Sequence, residues 1–183
     1  VRNGKMERAQ SRLKRADDAT DAGLKWAVRA AIHTHQGEYK AAKAAFLEAQ
    51  AAGIELGAAM ALLELDQIAD WIANGSVGRA LRHSKNVVGG MPPELLRIRA
   101  GLIACALLQQ ETELSRIPSL MKTVASGSLP KGFGLEKLAR DHRLIAGWAH
   151  YRHGRQQLAE KDLRAHLKKR PKDQKARRIL STL

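Results

Sequence analysis

The sequence predicts an all-α fold assembled from helical hairpins, and three observations carry that expectation. First, the composition favours helix: alanine, leucine, lysine, arginine and glutamate are plentiful, aromatics make up only 4% of the chain, and alternating β-branched runs are absent. Second, the stretch from Trp26 to Ala49 carries a complete helix-turn-helix pattern. Trp26 and Ala30 precede Gly37-Glu38-Tyr39, after which Ala42, Phe46 and Ala49 recur four and three residues apart and so share one helix face. Third, the same spacing returns near the C-terminus, with Gly147, Gly154, Ala159 and Leu163 in the places of Ala30, Gly37, Ala42 and Phe46, and Pro171 ending the second helix.

The elements follow in order. Residues 1–20 read as a basic, charged helix or extension with a thin apolar stripe (Met6, Ala9, Leu13, Ala16), and the run from Asp17 to Asp21 offers N-cap chemistry for the next helix. Residues 21–183 form the repeat domain. Its first hairpin lies near 22–52, where Ala30 and Ala42 let two helices approach while Trp26, Tyr39 and Phe46 fill the space around them, and Gly53 is placed to cap the end. A second, near 57–88, turns at Asn74-Gly75 between the apolar positions Leu62, Leu65, Ile68 and Trp71 and those at Val77, Ala80, Leu81 and Val87. Gly89-Gly90-Met91-Pro92-Pro93 is the sharpest break, and Pro93 suits the first turn of the following helix. The third hairpin, near 93–125, turns close to Gln110, and Pro118 lies inside or at the start of its second helix. The Gly/Ser/Pro-rich segment from Ala125 to Gly134 is the longest loop, a hinge or an inserted recognition loop. A fourth hairpin near 134–170 and a capping helix complete the chain.

The W/G/Y/A/F/A spacing resembles the tetratricopeptide (TPR) repeat, whose period is about 34 residues. The resemblance implies a right-handed α-solenoid of about four antiparallel hairpins, two faithful and two degenerate, because a single hairpin of this kind cannot bury its apolar face alone. It also implies a concave groove lined by the first helix of each hairpin, at Leu24, Ala27, Ala31, Leu62, Leu65, Ala69, Arg97, Ala100, Ala104, Leu144, Trp148 and Tyr151. The lysines and asparagines of a carboxylate clamp are missing from these positions, so the expected ligand is a hydrophobic peptide or an amphipathic helix. Alternatively, one of the chain's own end helices covers part of this face.

Two segments resemble the TPR region of HemY proteins, membrane-tethered bacterial proteins associated with late haem biosynthesis. One carries Pro93, Glu94, Leu96, Arg97, Leu114, Ile117, Pro118, Ser119 and Lys122. The other carries His153, Gly154, Ala159, Arg164, Ala165, Leu167, Lys168, Arg170 and Pro171. The pair of transmembrane helices found in that family has no counterpart in these residues. The resemblance implies a cytoplasmic protein, or one held at the inner face of the cytoplasmic membrane, with residues 1–15 as the basic stretch beside the bilayer.

The net charge of +14 sits at the two ends. Residues 1–15 hold six basic residues and one acidic, for +5, and residues 161–178 hold nine basic and two acidic, for +7, so the body is nearly neutral. The clusters at Arg8, Arg12, Lys14 and Arg15 and at Lys168, Lys169, Arg170 and Lys172 would attract phosphate, in an anionic membrane surface or in nucleic acid. They also suit the polar caps that repeat arrays need. Nucleic acid is the second-ranked partner, since no aromatics are interleaved with these charges for base stacking.

No apolar run reaches the roughly 18–20 residues of a membrane span. Cys105 is the only cysteine; it excludes an internal disulfide and multi-cysteine zinc sites, and within LIACALL it reads as a small buried hydrophobe. His150 and His153 are the pair from which a metal site would start, but the activating glutamate of an HExxH helix is lacking, and His150 matches His33 in the first copy as a packed position. No phosphate-binding glycine loop, nucleophile elbow or Ser/His/Asp arrangement appears. The expected function is a non-enzymatic scaffold or adaptor that binds a protein or peptide partner, with no catalytic residue, metal or cofactor.

Overall fold

The computed structural model describes residues 22–86, 91–130 and 132–183. Within them the chain is all-helical, with no strand among the described residues. Its helices are α1 (Ala22–His35), α2 (Tyr39–Ala51), α3 (Gly57–Ala73), α4 (Val77–Asn86), α5 (Pro93–Gln110), a 3₁₀ turn (Leu114–Arg116), α6 (Ile117–Val124), α7 (Glu136–Arg140), α8 (His142–Arg152), α9 (Gln156–Lys169) and α10 (Gln174–Leu180). The apolar stripe and aspartate caps expected over residues 6–21 lie outside the described residues, as do Val87–Gly90. The chain divides into two compact units, one reaching Gln67 and the other beginning at Ile68, with the boundary inside α3.

In the first unit α1 packs on α2. Ala30, Ala42, Ala45, Phe46 and Leu63 form its core, with Trp26, Tyr39, Leu56, Ala59 and Met60 half-buried around them. The alanines keep the helix axes close, so the few large rings suffice to fill the space. The Tyr39 hydroxyl, which must find an acceptor once its ring is packed, donates to the Asp66 carbonyl at 3.3 Å.

In the second unit α4 packs on α5, α5 on α6, α6 on α8, and α8 on α9, while α10 rests on both α8 and α9. α5 is buried on nearly every side, at Leu95, Ile98, Leu102, Ile103, Ala106 and Leu107 among others. Its Arg99 donates two hydrogen bonds, at 3.1 and 2.6 Å, to the Ser84 carbonyl, satisfying an acceptor that the last turn of α4 leaves without a helical partner. Two glycines permit close approach. A Cβ at Gly147 would stand 2.8 Å from Leu163 Cγ and 3.3 Å from the Ala159 carbonyl oxygen, and one at Gly101 would stand 2.7 Å from Leu135 Cδ1. Pro118 falls in the first turn of α6, after the 3₁₀ turn, where its missing N–H breaks no helical bond.

Four helix ends share one geometry. Gly37, Gly53, Gly75 and Gly154 have φ of +74°, +88°, +75° and +70°. Each glycine N–H bonds the carbonyl three residues back, and the next N–H bonds the carbonyl five back, from Glu38 to His33, Ile54 to Ala49, Ser76 to Trp71 and Arg155 to His150. This is the Schellman arrangement, which requires a left-handed residue. The α5 terminus uses the same five-residue bond, from Thr112 to Leu107, but with Glu111 in the left-handed position at φ +51°. A β-carbon there costs roughly 1 kcal/mol. Gly154→Ala is therefore expected to destabilise the protein by about 1 kcal/mol, because the space around it is open and only conformation is at stake. Glu111→Gly is expected to stabilise by about 0.5–1 kcal/mol, despite the loss of an exposed ion pair to Arg152. Urea midpoints check both signs.

Candidate functional site

Helix α8, with the sequence HRLIAGWAHYR, carries side chains with different tasks on opposite faces. Leu144, Ile145 and Trp148 lie along one side at helical spacing, and His142, Ala146 and His150 lie along the other.

On the first side, Leu144, Ile145 and Trp148 join Leu108 of α5 and Lys175 and Ile179 of α10 around a cavity of about 310 Å³. Its walls are apolar except for Lys175. The Arg152 guanidinium carbon lies 5.4 Å from the centroid of the Trp148 ring, close enough for a cation–π contact. The wall from α10 is fixed by local chemistry. Pro171 follows α9, and Asp173 N-caps α10 by accepting from the Ala176 N–H at 3.1 Å. The other Asp173 oxygen lies 2.9 Å from Nε2 of the buried His166. That hydrogen bond, followed by the capping N–H, holds the Asp173 carboxyl below its ordinary value of 3.8.

The residues expected to line a groove separate on burial. In the first unit Leu24 and Leu62 are exposed, at 49% and 40%, Ala31 is exposed and Ala27 half-buried, but Leu65 is at 0%. In the second, Ala69 is half-buried, while Ala100 and Ala104 are buried, at 6% and 0%. Leu65, Ala100 and Ala104 thus serve the interior and offer a partner no surface. Arg97 is spent differently from the expectation: its Nε donates to the Ser128 carbonyl at 3.0 Å and its Nη2 to Glu94 at 3.2 Å. It thereby ties the Gly/Ser/Pro loop back to α5. Leu144 and Trp148 line the cavity, and Tyr151, at 36% exposure, follows Trp148 by three residues.

The opposite face of α8 opens on a second, polar cleft of about 720 Å³ between α6, α8 and α9. Its floor includes Met121 and Ala146, and its charged groups are Lys122, Arg143 and Asp162, with His142 and His150 beside them. Arg143 Nη1 bonds Asp162 at 2.7 Å, and the buried His150 places Nε2 3.8 Å from the same carboxylate. His142 Nδ1 lies 2.8 Å from the Ala139 carbonyl. His153, which the spacing pairs with His150, is exposed, whereas His142 and His150 both line the cleft. The signal was legible in the spacing of His142, Ala146 and His150, four residues apart each time.

Burial, opposed by the Asp162 charge, sets the His150 pKa below its ordinary value of 6.5. A depressed histidine favours the neutral form in the folded state. Its contribution to stability is complete above pH 6.5 and is lost as pH falls through the lower folded value. The unfolding free energy should therefore decline on acidification below neutrality, and His150→Gln should flatten that slope by up to one proton's worth. Urea titrations of both proteins at stepped pH measure the difference.

Of the C-terminal basic cluster, Lys168, Lys169 and Lys172 are exposed, whereas Arg170 bonds Asp141 at 2.7 Å. Arg8, Arg12, Lys14 and Arg15 lie outside the described residues. Cys105 is half-buried, and burial raises its thiol pKa. Among the described residues no group of three His, Cys, Asp or Glu side chains is arranged to hold a metal ion, and no helix is long and apolar enough to cross a membrane. No family model, curated protein or solved structure matches the chain.

Proposed function

We propose that the hairpins are TPR-type repeats and that the protein is a non-enzymatic scaffold. In this reading the pocket between α5, α8 and α10 receives an apolar anchor side chain from an acidic, amphipathic peptide of a partner protein. The observation that carries it is the cavity of about 310 Å³ walled by Leu108, Leu144, Trp148 and Ile179. That volume is at the small end of ligand pockets and suits an anchor side chain. The acidity of the peptide follows from the surroundings: Lys175 on the wall and exposed Lys168, Lys169 and Lys172 nearby in the chain. Complementary charge of this kind steers encounter and fixes orientation. The HemY resemblance extends the proposal to a setting beside the cytoplasmic membrane, with Arg8, Arg12, Lys14 and Arg15 against anionic lipid.

The test is capture from a nuclease-treated extract, with the Trp148→Ala variant run in parallel. The proposal expects a nuclease-resistant protein partner, with an acidic amphipathic segment, that the variant fails to retain. Recovery of nucleic acid instead, indifferent to Trp148 and abolished by salt, would move the function to the basic clusters.

A further inference from the structure

The polar cleft on the far side of α8 has no part in peptide docking. We propose that it is a binding site for a small carboxylate with an apolar body, an alkyl or aryl acid. Its size, about 720 Å³, lies within the range of small-molecule sites. Apolar contact comes from the half-buried Pro118 and the exposed Ala125, beside a floor of Met121 and Ala146 that is nearly closed to solvent. The charge on the walls selects the sign of the ligand. Asp162 is bonded through one oxygen to Arg143 at 2.7 Å, so these two charges offset one another. Lys122 has no carboxylate partner among the described residues, which leaves the uncompensated charge of the cleft positive. Because Nδ1–H donates to the Ala139 carbonyl, Nε2 of a neutral His142 is an acceptor, so the donors for a carboxylate are the Lys122 ammonium and the Ser119 hydroxyl. A carboxylate accepts from such groups more strongly than a neutral hydroxyl does. The arrangement therefore favours a molecule with an apolar end against Pro118 and Ala125 and an anionic end at Lys122.

The test uses the full chain, isotope-labelled, titrated with octanoate, phenylpropanoate and octanol while amide and methyl chemical shifts are followed. Saturable shifts at Met121 and Ala146 are expected with at least one of the two acids, and octanol should bind at least tenfold more weakly. Lys122→Ala, at an exposed position, should weaken acid binding about tenfold, and Trp148→Ala should leave it unchanged. The proposal is overturned if neither acid shifts these residues, if octanol binds as well as the acids, if Lys122→Ala has no effect, or if the shifts centre on Trp148. Because Trp148→Ala acts only on the peptide pocket, the two readings fail separately.

Discussion

Leu163→Ala is expected to destabilise the protein by about 2–5 kcal/mol, the usual range for a large-to-small change at a fully buried site. Leu163 is at 0% exposure and packs against the one position in α8 where a side chain is missing, Gly147. Gly147→Ala alone should cost about 1–3 kcal/mol through overpacking, even though alanine is the better helix former, because its Cβ would stand 2.8 Å from Leu163 Cγ. In the double variant that clash has no partner atom, and the added methyl fills part of the cavity. The two costs should then fall short of their sum by about 1 kcal/mol or more. Urea unfolding of the four proteins gives the coupling. Additive effects would mean that α8 and α9 do not meet at this glycine.

Trp148→Ala is expected to lower affinity for the partner peptide by about 2 kcal/mol or more, roughly thirtyfold, since buried aromatic anchors dominate interfaces of this kind. Trp148 is only half-buried in the free protein and borders the cavity, so the helical circular dichroism signal should persist. Lys175→Glu provides a second, milder arm on α10. It should slow association and reduce the salt dependence of binding, because it reverses a charge on the cavity wall without removing apolar contact.

The two sites were legible to different degrees. Glycines at 37, 53, 75 and 154 announce their turns because only a left-handed residue closes a Schellman cap cheaply, and the alanine face of α2 announces itself through its spacing. The turn after α5 lacks that glycine: Glu111 and Glu113 take positive φ instead, so no residue type flagged it. Periodicity also separates inner from outer faces poorly on a helix such as α5, which is apolar on most sides. Ala100 and Ala104, which the repeat spacing places on the groove, accordingly do not reach the surface. Leu65 failed for a related reason, since its neighbour Leu62 carries the exposed position instead. The polar cleft was hidden because Lys122, His142, Arg143 and Asp162 come from three helices and share no local motif.

The most direct test of the central claim is selection of a displayed random-peptide library on the full chain. Dissociation constants for the enriched peptides would then be measured against the wild type, Trp148→Ala and Lys122→Ala. The account predicts peptides with apolar residues at helical spacing among acidic ones, bound about thirtyfold more weakly by Trp148→Ala and equally well by Lys122→Ala. Peptides bound as tightly by Trp148→Ala as by the wild type would contradict it.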